Sequence, residues 1–496
     1  MEKYTSKKTG EKKMGKRRVL VVGGGMSGLS AGIHSLLHGH EVTLLEKNKC
    51  LGGCMMGWRR EGFYIDNCLH WLTGTRKDTA LYHMWQTLGV LSPDSQIYFS
   101  PFLFRVEGKG KTLSLWQNPK RTESEMLALS PEDEKEIRRF FQALSFLAAK
   151  MPQKAGIEKV KQGLQAVLVS PLLLPYVRMT LGEFSQKFRH PLLRSMMVGY
   201  IGEEFCALSL IYVYAAFVTG NASLCMGGTE SVIRALEERF LSLGGRLETG
   251  VCVKELRHSA KRIECAESFE GKRYFADGYI AAIDPSVTFG RLLPSSFTPK
   301  GLREMYQKHL TYSAVQAAFR LKRAKDNPSG TVILQTEPFE VAGERQETLA
   351  FKVYDYDEVF CQGDEVVLQT LTFLREEGTV YFSRLSKSKA LYQEEKAEYA
   401  ALVKERLIKA YPCLYDRLSL LDVWTPATYS RYFDSKNGAF LGFATTPSAL
   451  LYRLGCRIKP FENAFLATQW QKSPGGLPVA AQCGREAARV CSRFLS

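Results

Sequence analysis

The run Gly23-Gly24-Gly25-Met26-Ser27-Gly28 spaces its glycines as G-x-G-x-x-G, with Gly32 one helical turn further on and an acid, Glu46, 18 residues after Gly28. These residue types suit the binding of a dinucleotide. Gly23 permits a tight turn, Gly25 lets backbone approach a pyrophosphate, and Gly28 allows a helix to pack closely on a strand. The amides at the start of that helix, around Met26 and Ser27, would hold the phosphate charge. Glu46, with Lys47 beside it, would accept hydrogen bonds from ribose hydroxyls. A glycine-rich turn without a ligand is the competing reading, and the context weighs against it.

That context is a βαβ unit. Arg18–Val22 (RVLVV) has the continuous apolar character of a buried parallel strand, Ser27–His38 reads as a helix, and Glu41–Glu46 (EVTLLE) reads as a second strand. From about Pro101 to Phe205 the pattern predicts mainly helix, with Ser130-Pro131-Glu132-Asp133 as a helix start. A helix over Glu230–Leu243 precedes Gly244-Gly245 and short strands at Arg246–Thr249, Val251–Leu256, Arg262–Glu267, Arg273–Ala276 and Tyr279–Ala282. Between Ser313 and Phe373 the segments SAVQAAFRL, GTVILQT, LAFKVYDY and EVVLQTLTF predict an antiparallel sheet. A charged helix over about Ser386–Ala410 follows, and the chain closes with a strand at Ala464–Thr468 and a helix over about Leu477–Phe494.

The glycine fingerprint alone does not distinguish NAD from FAD. Leu51-Gly52-Gly53 and Gly62-Phe63-Tyr64-Ile65-Asp66 follow Glu46 closely. Together with the turn they resemble the flavoprotein superfamily of amine oxidases and phytoene desaturases. Gly227-Gly228, Gly244-Gly245 and Val251-x-Val253-x-x-Leu256 are similar to the family's central return into its flavin domain. The resemblance places Val253 at a backbone contact to adenine. Thr425-Pro426-Ala427-Thr428-x-x-Arg431-Tyr432 with Gly438-Ala439-x-x-Gly442 resembles a late block of the phytoene desaturase, carotenoid isomerase and retinol saturase branch. Phe465-Leu466-Ala467-Thr468 and Pro474-Gly475-Gly476-Leu477-Pro478 resemble the closing FAD motif, in which a helix amino terminus faces the pyrimidine end of the flavin.

The resemblance covers nearly the whole chain and implies an α/β fold: a Rossmann-like FAD-binding domain of the GR2 flavoprotein type, with an inserted substrate domain of antiparallel sheet plus helices. It implies a flavin lobe over residues 18–74, 225–290 and 441–496, and a substrate lobe over 75–224 and 291–440. The expected cofactor is FAD, held by Gly23, Gly25, Met26, Ser27, Gly28, Glu46, Lys47, Gly52, Gly53, Val253, Thr468, Gly475, Gly476 and Leu477. Three departures bear on that assignment. Cys54 replaces the family's Arg after the double glycine, Asn67 replaces its Gly after Asp66, and Thr468-Gln469 stands where relatives have Gly-Asp.

Flavin chemistry accepts or donates hydride, while the protein supplies orientation and electrostatics. No triad of nucleophile, base and orienter follows from spacing, and dehydrogenation of a polyene needs none. His70, followed by Trp71, is the candidate catalytic group: it would donate a proton or orient substrate, or else serve as a structural histidine. Tyr429 and Tyr432 would line the substrate cavity or pack in a core, and Cys54 would react with a ligand or pack as a small residue. The expected activity is FAD-dependent oxidoreduction at carbon–carbon bonds of a lipophilic, polyene- or isoprenoid-like substrate, by desaturation, saturation or isomerisation. The alternatives are a flavin amine or porphyrinogen oxidase, and a non-enzymatic binder of prenylated or lipid partners. The electron acceptor or donor is left open.

Bulk composition limits the remaining possibilities. With 496 residues, 45% hydrophobic and 24% charged, the chain is globular rather than disordered or repetitive. Its twelve cysteines form no C-x-x-C pair and no zinc-like cluster with the eight histidines, so no metal is expected and a reducing, cytoplasmic setting is. Of a net charge of +16, six units lie in residues 1–18, a basic flexible tail (residues 1–17 ahead of the first strand) that reads first as a solvated arm, with attraction to anionic lipid as the functional alternative. On that alternative the tail would make peripheral contact with the inner face of the cell membrane. Nucleic acid is not expected, since no recognised module follows the tail. The apolar runs Ala166–Met179 and Ala207–Val218 are too short to span a bilayer.

Overall fold

The structure, a computed structural model, describes residues 16–68, 70–151, 170–199 and 201–496. Most of the basic tail and the start of the Ala166–Met179 run therefore lie outside the described residues.

Arg18–Val22 is the central strand of a five-stranded, all-parallel sheet in the order Arg246–Thr249, Glu41–Glu46, Arg18–Val22, Gly278–Ala281, Ala464–Leu466. Its apolar run serves two cores, because successive side chains of a strand point to opposite faces. Val19 and Val21 pack beneath two helices, Met26–Leu37 (the turn helix) and Gly476–Leu495 (the closing helix). Leu20 and Val22 pack against a small antiparallel sheet formed by Val253–His258, Ile263–Ser268 and Arg273–Tyr274. The two helices touch closely, with the Ser30 hydroxyl donating to the Ala481 carbonyl at 2.7 Å. Both amino termini are thereby set at the same edge of the sheet.

On the inner side of the turn helix, burial and the nearby Arg485 push the His34 imidazole down to about 4. Its folded-state pKa is below the unfolded value, so the unfolded chain binds more protons between pH 6.5 and 4 and stability is lost as pH falls through that window. We expect the melting temperature to drop on acidification from pH 7 to 4.5, and His34→Leu to flatten that drop. Thermal unfolding followed by circular dichroism at the two pH values measures it.

A second sheet runs in the order Leu418–Trp424, Ser313–Lys322, Glu365–Leu374, Glu344–Val353, Gly330–Val341, Phe102–Gly108, Lys111–Trp116, with the short Cys361–Gln362 strand beside Glu365–Leu374. The four predicted antiparallel segments form its middle. The last two strands correct the expectation that helix begins near Pro101. Phe102, Phe104 and Val106 are buried in strict alternation, and Lys109 and Gly110, both in the left-handed region, close a hairpin. A turn requiring two positive φ values outweighs the helical character of the residues downstream. Helices do follow, at Pro119–Leu129 and Glu134–Lys150, and then, among the described residues, at four further segments ending with Leu208–Val218. They share an aromatic core that includes Phe140, Phe184 and Tyr214. No helix among the described residues is long and apolar enough to cross a membrane.

Candidate active site

The carboxyl ends of the parallel strands open onto a cavity of about 650 Å³, where α/β sheets place their ligands. Gly23, Gly25, Met26 and Ser27 line one end of it, with Glu46, Lys47, Gly52, Gly53 and Val253 around them. Thr468 lines it from just beyond the strand Ala464–Leu466, Gly475, Gly476 and Leu477 line it from the start of the closing helix, and His70 borders it too. Of the residues proposed from sequence to hold the cofactor, only Gly28 is not at the wall. A Cβ there would lie 1.8 Å from the Gly23 carbonyl oxygen, so Gly28 serves helix–strand packing, as the motif predicts. A Cβ on Gly25 would instead meet nothing closer than 3.8 Å, because it would point into the opening.

Glu46 is held in place by backbone: one carboxylate oxygen accepts from Gly24 N–H at 2.7 Å, and the other from Asn48 N–H at 2.9 Å and the Asn48 side chain at 3.0 Å. Lys47 points to Asp434, pairing at 2.9 Å, and Arg291 joins the same carboxylate at 3.2 Å. The Lys47 ammonium is thus already neutralised where it borders the cavity. Gln469, one of the departures from the family pattern, accepts from Gly476 N–H at 2.8 Å and donates to the Phe440 carbonyl at 3.2 Å. Its amide takes up one free donor of the closing helix, which no carboxylate then has to do.

The segment after the second glycine pair is the most tightly wired part of the site. Asp66 accepts from Thr229 N–H and Cys68 N–H, each at 2.9 Å, which ties it to the first turn of the helix Gly228–Ser242. Asn67, the second departure, uses its carbonyl to accept from Trp424 Nε1–H at 2.8 Å and the Tyr429 hydroxyl at 2.9 Å, while its NH₂ donates to the Cys54 carbonyl at 3.2 Å. Gln316 donates to the Tyr429 oxygen at 2.7 Å. A glycine could supply none of these bonds. Tyr429 is therefore a core residue, whereas Tyr432 borders the cavity and is 46% exposed.

The surface that His70 leaves uncovered faces the cavity. Burial and the charge of Lys352 push its imidazole down to about 3, so it is neutral at physiological pH. It can orient a ligand or share a hydrogen bond, but it holds no extra proton to give. Lys352 is itself buried, and desolvation lowers its ammonium to about 8 in spite of Asp66 and Asp355 nearby. The Cys54 thiol also borders the cavity, and burial pushes it up to about 12, so it stays protonated and acts as a small wall residue. Sequence reasoning missed Lys352, Gln316 and Tyr312. Tyr312 borders the cavity and donates its hydroxyl proton to Glu204, which is in turn paired with Arg375. None of the three lies in a local motif; a lysine inside the apolar AFKVYDY strand was the one visible signal.

Beyond the ring of polar groups, the cavity continues into an apolar arm lined by Phe205, Leu208, Val213, Phe373, Phe440 and Leu450. A βαβ glycine turn, a second helix amino terminus opposite it and an adjoining apolar arm define an FAD-dependent oxidoreductase. The chain matches the model of the flavin-containing amine oxidoreductases over residues 26–492, and it belongs to that family. It is similar to 4,4'-diaponeurosporene oxygenase of Staphylococcus aureus strain MW2, 19% identical over 514 aligned positions that cover 95% of this chain and 97% of that one. It is also similar to the lycopene-forming phytoene desaturase of Pseudescherichia vulneris, 23% identical over 56% of this chain and 58% of that protein. Among solved structures, an oxidoreductase from Methanosarcina mazei shares the fold with a TM-score of 0.61 at 15% identity, covering 95% of this chain and 99% of that one.

Proposed function

We propose that this flavoenzyme oxidises, reduces or isomerises carbon–carbon double-bond systems of a lipophilic, polyene- or isoprenoid-like compound. The observation that carries the reading is the continuity of one cavity from the glycine turn into the apolar arm. Relatives named for carotenoid oxygenation and desaturation support it. On this reading residues 18–74, 225–290 and 441–496 form the flavin lobe, and residues 75–224 and 291–440 the substrate lobe.

The residues present fit FAD. The space in front of Gly25 admits a pyrophosphate against backbone, and the turn helix presents its positive end there. Glu46, fixed by Gly24 and Asn48, keeps lone pairs for ribose hydroxyls. Val253 and Gly52-Gly53 border the same end, while Gly475, Gly476 and Leu477 bring the positive end of the closing helix to the other. Bound there, FAD supplies the two-electron acceptor or donor for hydride. The chain's own groups exclude water through the apolar arm and orient substrate through the neutral His70 and the Tyr312 hydroxyl. The proton released or taken up beside the hydride can be exchanged between the Tyr312 hydroxyl and the Glu204 carboxylate, whose charge Arg375 balances.

The test is anaerobic incubation of the FAD-loaded protein with a panel of carotenoid precursors, retinoids and conjugated enones. At least one compound is expected to bleach the oxidised flavin or to reoxidise the dithionite-reduced one. Bleaching by amines alone would move the protein to the amine oxidase branch and sink the proposal.

A further inference from the structure

The helix Pro426–Phe433 carries Tyr429 to the Asn67 cluster, and the chain then runs along the cavity, where Tyr432, Phe433, Asp434 and Ser435 all line the wall. This run is tied at three points, each time to another residue of the same wall. The Tyr432 carbonyl accepts from the Asn48 side chain at 3.0 Å. Asp434 pairs with Lys47 at 2.9 Å and with Arg291 at 3.2 Å. Lys436 N–H donates to the Asp284 carboxylate at 3.0 Å. Lys47 and Asn48 continue from the strand Glu41–Glu46, and Asp284 lies just beyond the strand Gly278–Ala281. Residues 432–436 therefore bridge the end of the cavity that Glu46 and Val253 also line.

The bridge lies at the outer surface. Lys49 and Arg431, close by in the two chain segments, are exposed and take no part in the wall. The Arg291 guanidinium lies 6.0 Å from the ring of Phe269, a residue that is 57% exposed and likewise outside the wall. The ties differ in strength. Lys436 is bonded to a carboxylate that is itself buried, and its ammonium sits over the Tyr306 ring at 3.8 Å. The Asp434 pairs, with side chains 22–34% exposed, are of the kind that water and salt weaken. One end of the bridge is thus fixed, and the other can open.

We infer that residues 432–435 form a strap over the adenosine half of bound FAD, that the strap lifts for the cofactor to enter or leave, and that Asp434 is its latch. This rests on the placement of the adenosine half at Glu46 and Val253. A latch has a kinetic signature that a simple contact lacks. Weakening it speeds entry and exit together, because both pass through the same opening, and it alters affinity less than either rate.

The experiment reads both rates by stopped-flow flavin fluorescence. Apoprotein mixed with FAD gives entry, and holoenzyme mixed with an excess of a second apoflavoprotein, which captures free FAD, gives release. In Asp434→Asn both rates are expected to rise about five- to tenfold, with the dissociation constant changing less than about threefold. Asparagine keeps the shape of the side chain and tolerates the left-handed backbone at this position, where φ is 51°. Arg291→Gln, which removes one of the two pairs, is expected to raise both rates about threefold. Raising salt about tenfold should quicken release from the wild type and leave that from Asp434→Asn unchanged. Faster release with unchanged entry would make Asp434 an ordinary contributor to affinity and overturn the strap. Faster entry with slower release would mean that the freed Lys47 and Arg291 hold the diphosphate, and would overturn it too. So would unchanged rates in both variants. An unchanged dissociation constant in Glu46→Gln would reject the placement of the adenosine half itself, an outcome distinct from any failure of the latch.

Discussion

Gly25→Ala is expected to fold normally and to bind FAD about 10- to 100-fold more weakly, while Gly28→Ala is expected to lower stability before any ligand is considered. The two glycines belong to one motif but answer to different forces. Gly25 has φ −78° and ψ −177°, a conformation open to any residue, and its added Cβ would meet only ordinary contacts at 3.8 Å. What the methyl group removes is room for a pyrophosphate against backbone. Losing one charge-assisted hydrogen bond of about 1.5–3 kcal/mol produces the stated change in affinity. At Gly28 the Cβ would be 1.8 Å from the Gly23 carbonyl oxygen, and rigid backbone has to shift. Overpacking of this kind costs about 1–3 kcal/mol or more. Thermal unfolding of the apoproteins and titration with FAD separate the two effects. Equal loss of stability in both variants would contradict the division of labour.

Asn67→Leu is expected to destabilise the protein by about 2–5 kcal/mol. The side-chain carbonyl of Asn67 is the acceptor for Trp424 N–H at 2.8 Å and for the Tyr429 hydroxyl at 2.9 Å, and all three residues are buried. Each donor left without a partner costs about 1–3 kcal/mol. Trp424 N–H retains a contact to the Tyr429 oxygen at 3.0 Å, which keeps the sum below its maximum. Denaturant unfolding measures the loss, and a double-mutant cycle with Trp424→Phe tests its cause. Because phenylalanine has no N–H to strand, Asn67→Leu should cost about 1 kcal/mol or more less in that background. An unchanged cost would show that the amide matters only for its shape.

Asn67 marks the limit of what local sequence carries. As a deviation from a glycine it raised doubt about the cofactor pocket, but its purpose lies in residues 357 and 362 positions away in the chain. Cys54 is a similar case: nothing local distinguishes a reactive thiol from a wall residue, and it is enclosure by protein that moves its titration further above neutral pH. His70 was found by its place after Asp66, yet its charge state depends on burial and on Lys352, which arrives from a different sheet. The hairpin at Phe102–Trp116 is legible in its alternation and its Gly-Lys-Gly turn, but the stronger helical pattern that follows it masks that signal.

What the amino-acid sequence determined by itself is local. The glycine spacing, the runs of apolar residues that make parallel strands, and the paired glycines before the closing helix each declare their structure within a dozen positions. Backbone sterics and side-chain periodicity act over that range. Only the tertiary structure decided which of these pieces face one another. It set two helix amino termini on one edge of the sheet, joined the polar pocket to an apolar arm, and neutralised Lys47 and Arg291 against Asp434 at the cavity wall. Such pairings depend on burial and on Coulomb interactions between segments hundreds of residues apart, and neither has a signature in the order of residues along the chain.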